Sequence, residues 1–373
     1  MQHYGDITKI RGAEVPIVDV VTGGSPCQDL SVAGKRAGLA GERSGLFMEQ
    51  IRIIKEMRDE DKRLRPIRGA DEYIRPRYMV WENVPGAFSS NKGEDFRAVL
   101  EETAKVVQGD ACIPGPPGGK WPYAGCIMGD GWSIAWRLHD AQFWGVPQRR
   151  KRIALVADFG GATAPEILFE REGMSGDIEE SRKEGQGIAT DSKGCLNPAS
   201  DADHVPCVYG LDRASFNQGI NAQYDFQVDE EKVGTQVAQG PGAVCQSVVR
   251  RLTPLECERL QGFPDHWTDI GDWVDSKGKK HKGESDSPRY KALGNSIALP
   301  FWKWMAERMV AYLDENPTMA SLFSGIGGFE LVFARVGCKP VWNSEIEPYP
   351  EAVTRVHFGD DERGIKGDYE QYL

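Results

Sequence analysis

A cysteine in a tight turn and an acid at the end of another apolar run are the residues whose types could combine to do chemistry. Cys27 stands in Gly23-Gly24-Ser25-Pro26-Cys27-Gln28, ahead of the glycine-punctuated segment Ser31-Val32-Ala33-Gly34-Lys35-Arg36-Ala37-Gly38. A thiolate at the carboxyl end of a parallel strand sits where open α/β sheets bind ligands, and a loop beyond it can close over a substrate. A lone cysteine is more often structural than catalytic, so its neighbours decide. Glu82, in Glu82-Asn83-Val84, ends the next apolar run and could share the same crevice. A thiolate adding to a weakly electrophilic ring carbon needs an acid beside the ring nitrogen, which a carboxyl group can supply. Read by itself, Glu82 is equally a solvated strand end.

A second constellation lies far along the chain. Ser321-Leu322-Phe323-Ser324-Gly325-Ile326-Gly327-Gly328-Phe329 reads as a strand, a glycine turn and the start of a helix, and Glu345 follows the next apolar run. Glycines let the backbone approach a nucleotide-like ligand, and an acid one strand further on can bind ribose hydroxyls. The closing Gly-Lys-Ser/Thr of a phosphate-binding loop is missing, so a nucleoside without a triphosphate fits better.

The elements that must position these residues read as a parallel α/β sheet. Strands are expected at 15–21, 78–81, 132–139, 152–158, 320–323 and 340–343, and helices at 46–57, 328–336 and 349–357. From about 160 to 249 the chain turns to Gly, Asp, Ser, Gln and Asn with few apolar runs, either a loop-rich second domain or a poorly ordered insert. The 373 residues are 40% apolar and 27% charged, which fits a globular protein with a sizeable core. No apolar stretch is long enough to span a membrane, and the opening Met1-Gln2-His3-Tyr4-Gly5-Asp6 has no leader character, so a cytoplasmic location is expected. Eight cysteines without a C-x-x-C pair indicate neither a disulfide framework nor a structural metal. The net charge of −11 argues mildly against a nucleic-acid partner, while Arg149-Arg150-Lys151-Arg152, Arg250-Arg251 and the basic residues of 277–282 argue for one. Charge alone leaves that question open.

Six motifs together resemble the cytosine-5 DNA methyltransferase family: Gly-Ser-Pro-Cys-Gln at 24–28, Glu-Asn-Val at 82–84, Gln-Arg-Arg-Lys-Arg at 148–152, Leu-Gly-Asn-Ser-Ile at 293–297, Leu-Phe-Ser-Gly-Ile-Gly-Gly at 322–328, and the run from Arg251-Leu252-Thr253-Pro254 to Gln261-Gly262-Phe263-Pro264. The resemblance implies a Rossmann-like S-adenosylmethionine-dependent α/β sheet with a smaller target-recognition domain. It also implies a circular permutation, because the family normally begins with the Phe-Ser-Gly-Ile-Gly-Gly motif. On this reading 1–159 is the catalytic part, 160–249 the recognition region, and 250–313 a bracing segment with the closing helix; 314–318 is a linker and 319–373 the cofactor-binding part.

Carried over residue by residue, the resemblance makes Cys27 the nucleophile at carbon 6 of a flipped cytosine, Glu82 its partner at N3, and Arg150 and Arg152 the arginines near them. It assigns S-adenosylmethionine to Phe323, Gly325, Ile326, Gly327, Gly328, Glu345, Ile346, Asn295 and Pro26. An aspartate near the adenine is either Asp6, with Ile7 after it, or Asp368. Double-stranded DNA is the implied partner, with Lys35 and Arg36 on one side and Asn217, Gln218, Asn221 and Gln223 of the insert able to read base edges on the other. A restriction-modification or phage setting, a cognate restriction endonuclease and a monomeric state fit the same resemblance. The rivals are the same chemistry on tRNA and a silent DNA-binding relative.

Overall fold

The computed structural model describes residues 1–25, 45–68, 73–169, 249–359 and 371–372, with the strand backbones of 209–211, 228–230 and 243–245. The main sheet has eight strands. In chain order these are β1 (Gln2–His3), β2 (Val20–Gly23), β3 (Tyr78–Asn83), β4 (Ala124–Gly129), β5 (Trp132–Asp140) and β6 (Lys151–Asp158), then, after six short strands, β13 (Thr318–Leu322) and β14 (Lys339–Ser344). Their spatial order is β1-β14-β13-β2-β3-β6-β5-β4.

Alternation along the central strands explains the layering. Val20, Tyr78, Val80 and Val156 face one apolar core. Val21, Met79, Trp81 and Leu155, one residue out of step, face the other. A period of two with both faces apolar requires cover on both sides. Residues of α6 (Leu299–Val310) and α7 (Gly328–Arg335) join the first core, and residues of α1 (Leu46–Arg68) and α2 (Glu94–Ala104) the second. The remaining helices are α3 (Ala164–Leu168), α4 (Pro254–Arg259), α5 (Ser287–Asn295) and α8 (Pro348–Phe358).

The sheet is mixed rather than parallel. β1, β14, β13, β2 and β3 run parallel, whereas β6 is antiparallel to β3, β5 to β6 and β4 to β5. An apolar run does not encode its own direction, so the expectation of an all-parallel sheet fails at the β3–β6 seam. The turn from β4 to β5 is short, with Gly131 at φ 73° after Asp130, the Asp-Gly signature of a hairpin.

Boundaries moved where polar residues intervene. The first helix was expected to stop at 57 but runs to Arg68, its outer face carrying ion pairs three residues apart such as Arg63 with Glu60 and Lys62 with Asp59. The strand expected at 15–21 begins only at Val20, and 318, expected in the linker, already belongs to β13. There the backbone N–H and the hydroxyl of Thr318 both donate to the buried Asp19 carboxylate, at 2.7 and 2.8 Å, which fixes the amino end of β13 beside β2.

The short strands β7 (Tyr209–Leu211), β8 (Val228–Glu230), β9 (Ala243–Cys245) and β10 (Val249–Arg251) form a separate antiparallel sheet, in the order β10-β9-β7-β8. Thus part of the polar region has sheet structure. β11 (Trp273–Val274) and β12 (Lys280–His281) make a small hairpin.

Candidate active site

Parallel pairing brings the carboxyl ends of five strands to one edge of the sheet. Leu322 is in register with Ser344 on one side and Gly23 on the other, and Gly23 with Trp81. Glu345, Phe323, Gly24 and Glu82, each one residue further on, therefore line up along that edge. Open α/β sheets bind their ligands at this edge.

The turn after β2 is anchored from β3. Trp81, fully buried, donates its indole N–H to Ser25 Oγ at 3.0 Å, and the Asn83 amide donates to the Ser25 carbonyl at 3.4 Å. A Cβ added at Gly24 would lie 2.9 Å from Glu82 Oε2, so glycine there leaves room for the carboxylate. Pro26 and Cys27, the next two positions, lie outside the described residues, as do Lys35, Arg36 and Asp368. The base-reading candidates Asn217, Gln218, Asn221 and Gln223 lie outside them too.

Glu82 is paired across the seam. Arg152 Nε sits 2.7 Å from Glu82 Oε1, both side chains mostly shielded from water. The antiparallel register makes this possible, because Asn83 opposes Ile153 and the end of β3 meets the beginning of β6. Next to this pair opens a cleft whose lining, among the described residues, is Pro85, Asp140, Gln142, Arg149, Lys151 and Arg152, with Arg149 and Lys151 adding cations beyond the paired Arg152. An anionic ligand suits such a lining.

Arg150 behaves differently from Arg152. It is wholly buried, and its guanidinium donates to the Gly294 carbonyl at 3.0 Å and to that of Ser296. Its own N–H donates to Asp140 Oδ1 at 2.9 Å. These contacts make Arg150 a brace between the start of β6 and the end of α5. Asn295, held between the two braced carbonyls, is exposed.

At the other end of the edge, the β13 turn is built around a carboxylate. Glu345 Oε2 accepts the Gly325 N–H at 2.7 Å, while Oε1 accepts those of Ile346 and Glu347, each at 2.8 Å. Burial raises the Glu345 carboxyl above its usual range, and the three N–H donors oppose that shift. Phe323 takes φ 58°, a left-handed conformation that non-glycine residues adopt at a cost and that clusters at ligand sites. Among the described residues, nothing lies within 4 Å of where a Cβ at Gly325 would stand, so on their side this residue is open. Gly327 and Gly328 are not: a Cβ there would come within 2.7 Å of Phe358 and 2.9 Å of Ile297. These two glycines allow the helix to pack closely against Phe358 and Ile297.

The side chains of Ile326 and Ile7 point into the two cores, at 1% and 5% exposure, which leaves only their backbones to face the edge. Ile346, by contrast, is 69% exposed beside Glu345. Asp6 follows β1 and caps a short 3-10 turn, accepting from the Thr8 N–H at 3.0 Å and hydroxyl at 2.8 Å, which together hold its carboxyl below the ordinary range. Ser344 donates to the Gly5 carbonyl at 2.6 Å, so the Asp6 segment abuts the Glu345 segment.

Sequence reasoning missed the residues beneath this edge. Ser324, Glu330 and Asn343 are buried together and hydrogen-bonded. Burial pushes the Glu330 carboxyl up to about 7. Its signal was an acid within the apolar run Gly328-Phe329-Glu330-Leu331-Val332-Phe333. His139, opposite Arg152 in the register, is also buried; it stacks on Phe301 at 3.7 Å, and desolvation holds it well below the usual histidine range.

The chain is 31% identical to the DNA N-6-adenine-methyltransferase of Escherichia phage P1, over 82% of this chain and 55% of that protein. It is 26% identical to the Type II methyltransferase M1.ScrFI of Lactococcus lactis subsp. cremoris, over 84% of this chain and 67% of that protein. The chain thus spans about half to two thirds of the length of these relatives. Among solved structures, the Dnmt2 methyltransferase of S. pombe aligns over 82% of this chain and 83% of that one, with a TM-score of 0.44 and 17% identity. Residues 1–106 and 128–311, well over half of the length, match the family described as C-5 cytosine-specific DNA methylase, and the chain belongs to that family.

Proposed function

We propose that the protein transfers a methyl group from S-adenosylmethionine to carbon 5 of a cytosine flipped out of duplex DNA. The observation that carries this reading is the Arg152–Glu82 pair at 2.7 Å, on the sheet edge where the turn bearing Cys27 begins. Cys27 thiolate adds to carbon 6 while Glu82 holds the proton at N3, so the electrons displaced by the new C–S bond collect on carbon 5. Arg152 fixes the Glu82 carboxyl in position. Once carbon 5 carries the methyl group, loss of its proton lets the electrons return, expel Cys27 and restore the ring. The cationic cleft beside Arg152 receives the extruded nucleotide and its phosphates.

The residues of the β13 turn fit the cofactor. An open-faced Gly325 lets a ligand approach the backbone, and the Glu345 carboxylate lies next to it at the end of the neighbouring strand, where ribose hydroxyls are bound. Phe323 and Ile346 offer apolar surface for the adenine, Asp6 an acceptor, and Asn295, Gly327, Gly328 and Pro26 shape the rest. S-adenosylmethionine supplies an electrophilic methyl group on a sulfonium there.

The motif order supports a circular permutation of the family arrangement, since the strand carrying the Phe-Ser-Gly turn comes near the end of the sequence yet lies between β14 and β2 in the sheet. The region 160–249 reads the DNA sequence. A host-defence or phage DNA-modification role follows from the same reading, with a restriction endonuclease as the natural companion.

Similarity to the DNA N-6-adenine-methyltransferase of phage P1 favours a second reading, methylation of adenine at N6. An exocyclic amine takes a methyl group without a thiol adduct, and Cys27, Glu82 and Arg152 would have no work in it. Labelled S-adenosylmethionine, duplex DNA and digestion to nucleosides separate the two. Label in 5-methyldeoxycytidine supports the first reading; label in N6-methyldeoxyadenosine replaces it with the second; label appearing only on tRNA overturns both.

A further inference from the structure

Three segments of the cofactor edge come from distant parts of the chain, and one side chain touches all of them. Asn343, fully buried near the end of β14, donates its amide to Ser324 Oγ at 3.0 Å and to Glu330 Oε1 at 3.3 Å. Its Oδ1 faces His3 Nδ1 at 2.9 Å, and its backbone carbonyl accepts the Tyr4 N–H at 2.9 Å. Ser324 donates in turn to Glu330. Ser324 follows Phe323 in the glycine turn, Asn343 stands two residues before Glu345, and His3 stands three before Asp6.

β1 has only two residues and, among the described residues, pairs with β14 alone, so its ladder gives it little hold. Contacts that add to the ladder include those of Asn343, the Ser344–Gly5 bond, the Met1 ammonium on the Phe358 carbonyl at 3.0 Å, and a His3–Glu351 approach of 3.9 Å. Among the described residues no donor reaches Glu330 Oε2, which is buried. A polar group left so costs stability unless its other contacts need it there.

We propose that Asn343 is a positioning residue for the cofactor pocket, locking the strand that leads to Asp6 onto the glycine turn through His3, Ser324 and Glu330. The inference rests on the cofactor assignment made above. Loosening Asn343 lets the Asp6 and Phe323 segments move apart, so affinity for the nucleoside falls while the Cys27, Glu82 and Arg152 end of the edge keeps its arrangement.

The test is the dissociation constant of S-adenosylmethionine, measured by titration calorimetry on the whole chain without DNA. DNA affinity without cofactor and the melting temperature are followed in parallel. His3→Ala and Asn343→Ala are each expected to weaken cofactor binding about three- to tenfold, the worth of a lost hydrogen bond or two, with DNA affinity unchanged. His3→Asn, whose amide nitrogen can replace Nδ1 as donor, should recover the loss. His3 is partly exposed, so its variants report even where Asn343→Ala fails to fold. Folded variants that bind the cofactor within twofold of wild type would overturn the positioning role alone. Wild-type protein that binds no S-adenosylmethionine would overturn the cofactor assignment as well.

Discussion

The two ends of the sheet edge solve positioning in different ways. On the β1, β14 and β13 side all strands are parallel, and what reaches the edge is a set of turns: the left-handed Phe323, Gly325 with its N–H held by Glu345, and the segments fixed from below by Asn343 and Glu330. At the β3–β6 seam the partner is antiparallel, and what reaches the edge is a pair of side chains, one from the end of a strand and one from the beginning of its neighbour. A parallel neighbour would bring another strand end and no such opposed pair. A sheet with a parallel side and an antiparallel side therefore presents turns at one end of its edge and an opposed carboxylate–guanidinium pair at the other.

The largest effect should come from the seam. Glu82→Gln keeps the shape but removes the proton-handling group, and turnover should fall about 10³-fold, within the span of general acid–base contributions. Arg152→Ala should do the same, with S-adenosylmethionine affinity unchanged in both. Loss of cofactor affinity equal to the loss of turnover would show that the two ends are not separable.

Next in size is a pH effect on the other side. Glu330 has its carboxyl raised to about 7, so its contribution to stability is complete at acid pH and is lost as pH rises through that value. Glu330→Gln should erase a fall of about 3 kcal/mol between roughly pH 5 and 8, as read from denaturant unfolding at the two pH values. An unchanged pH difference would show that Glu330 is ionised throughout.

Glu345→Ala should weaken S-adenosylmethionine binding about tenfold, about 1.4 kcal/mol, and leave DNA affinity alone. Equal losses for both ligands, measured by calorimetry, would contradict the division of labour. The smallest effect concerns His139, whose pKa is lowered by burial. Its contribution is present above the usual histidine range and lost as pH falls, the opposite sign to Glu330. His139→Leu also removes ring nitrogens that meet no partner among the described residues, and should raise stability below pH 6 by about 1 kcal/mol relative to wild type. A variant that loses stability there would show that the ring is needed for its stack on Phe301.

The sequence made part of this legible. Glu82, Arg152, Glu345 and the glycine turn stand at the ends of apolar runs, and strand ends are where sequence pattern and function coincide. Less legible was the side of a turn a residue faces: Ile326 and Ile7 sit among cofactor-type residues yet turn inward, and Arg150, two positions from Arg152, points to the backbone of 294 and 296. Strand direction was invisible because apolar runs carry no sense, although Asp130-Gly131 marked one hairpin. The Ser324–Glu330–Asn343 cluster joins residues distant in the chain, and only the unexpected acid of an apolar helix pointed to it.

The central claim is that Cys27 attacks carbon 6 beside the Glu82–Arg152 pair, and covalent trapping tests it most directly. Duplex DNA carrying 5-fluorocytosine at the target position cannot lose a proton from carbon 5, so the adduct should persist. The account expects a denaturant-resistant protein–DNA complex that requires S-adenosylmethionine and disappears in Cys27→Ala. Transfer of methyl label to cytosine by wild-type protein, with no such complex formed, would contradict it.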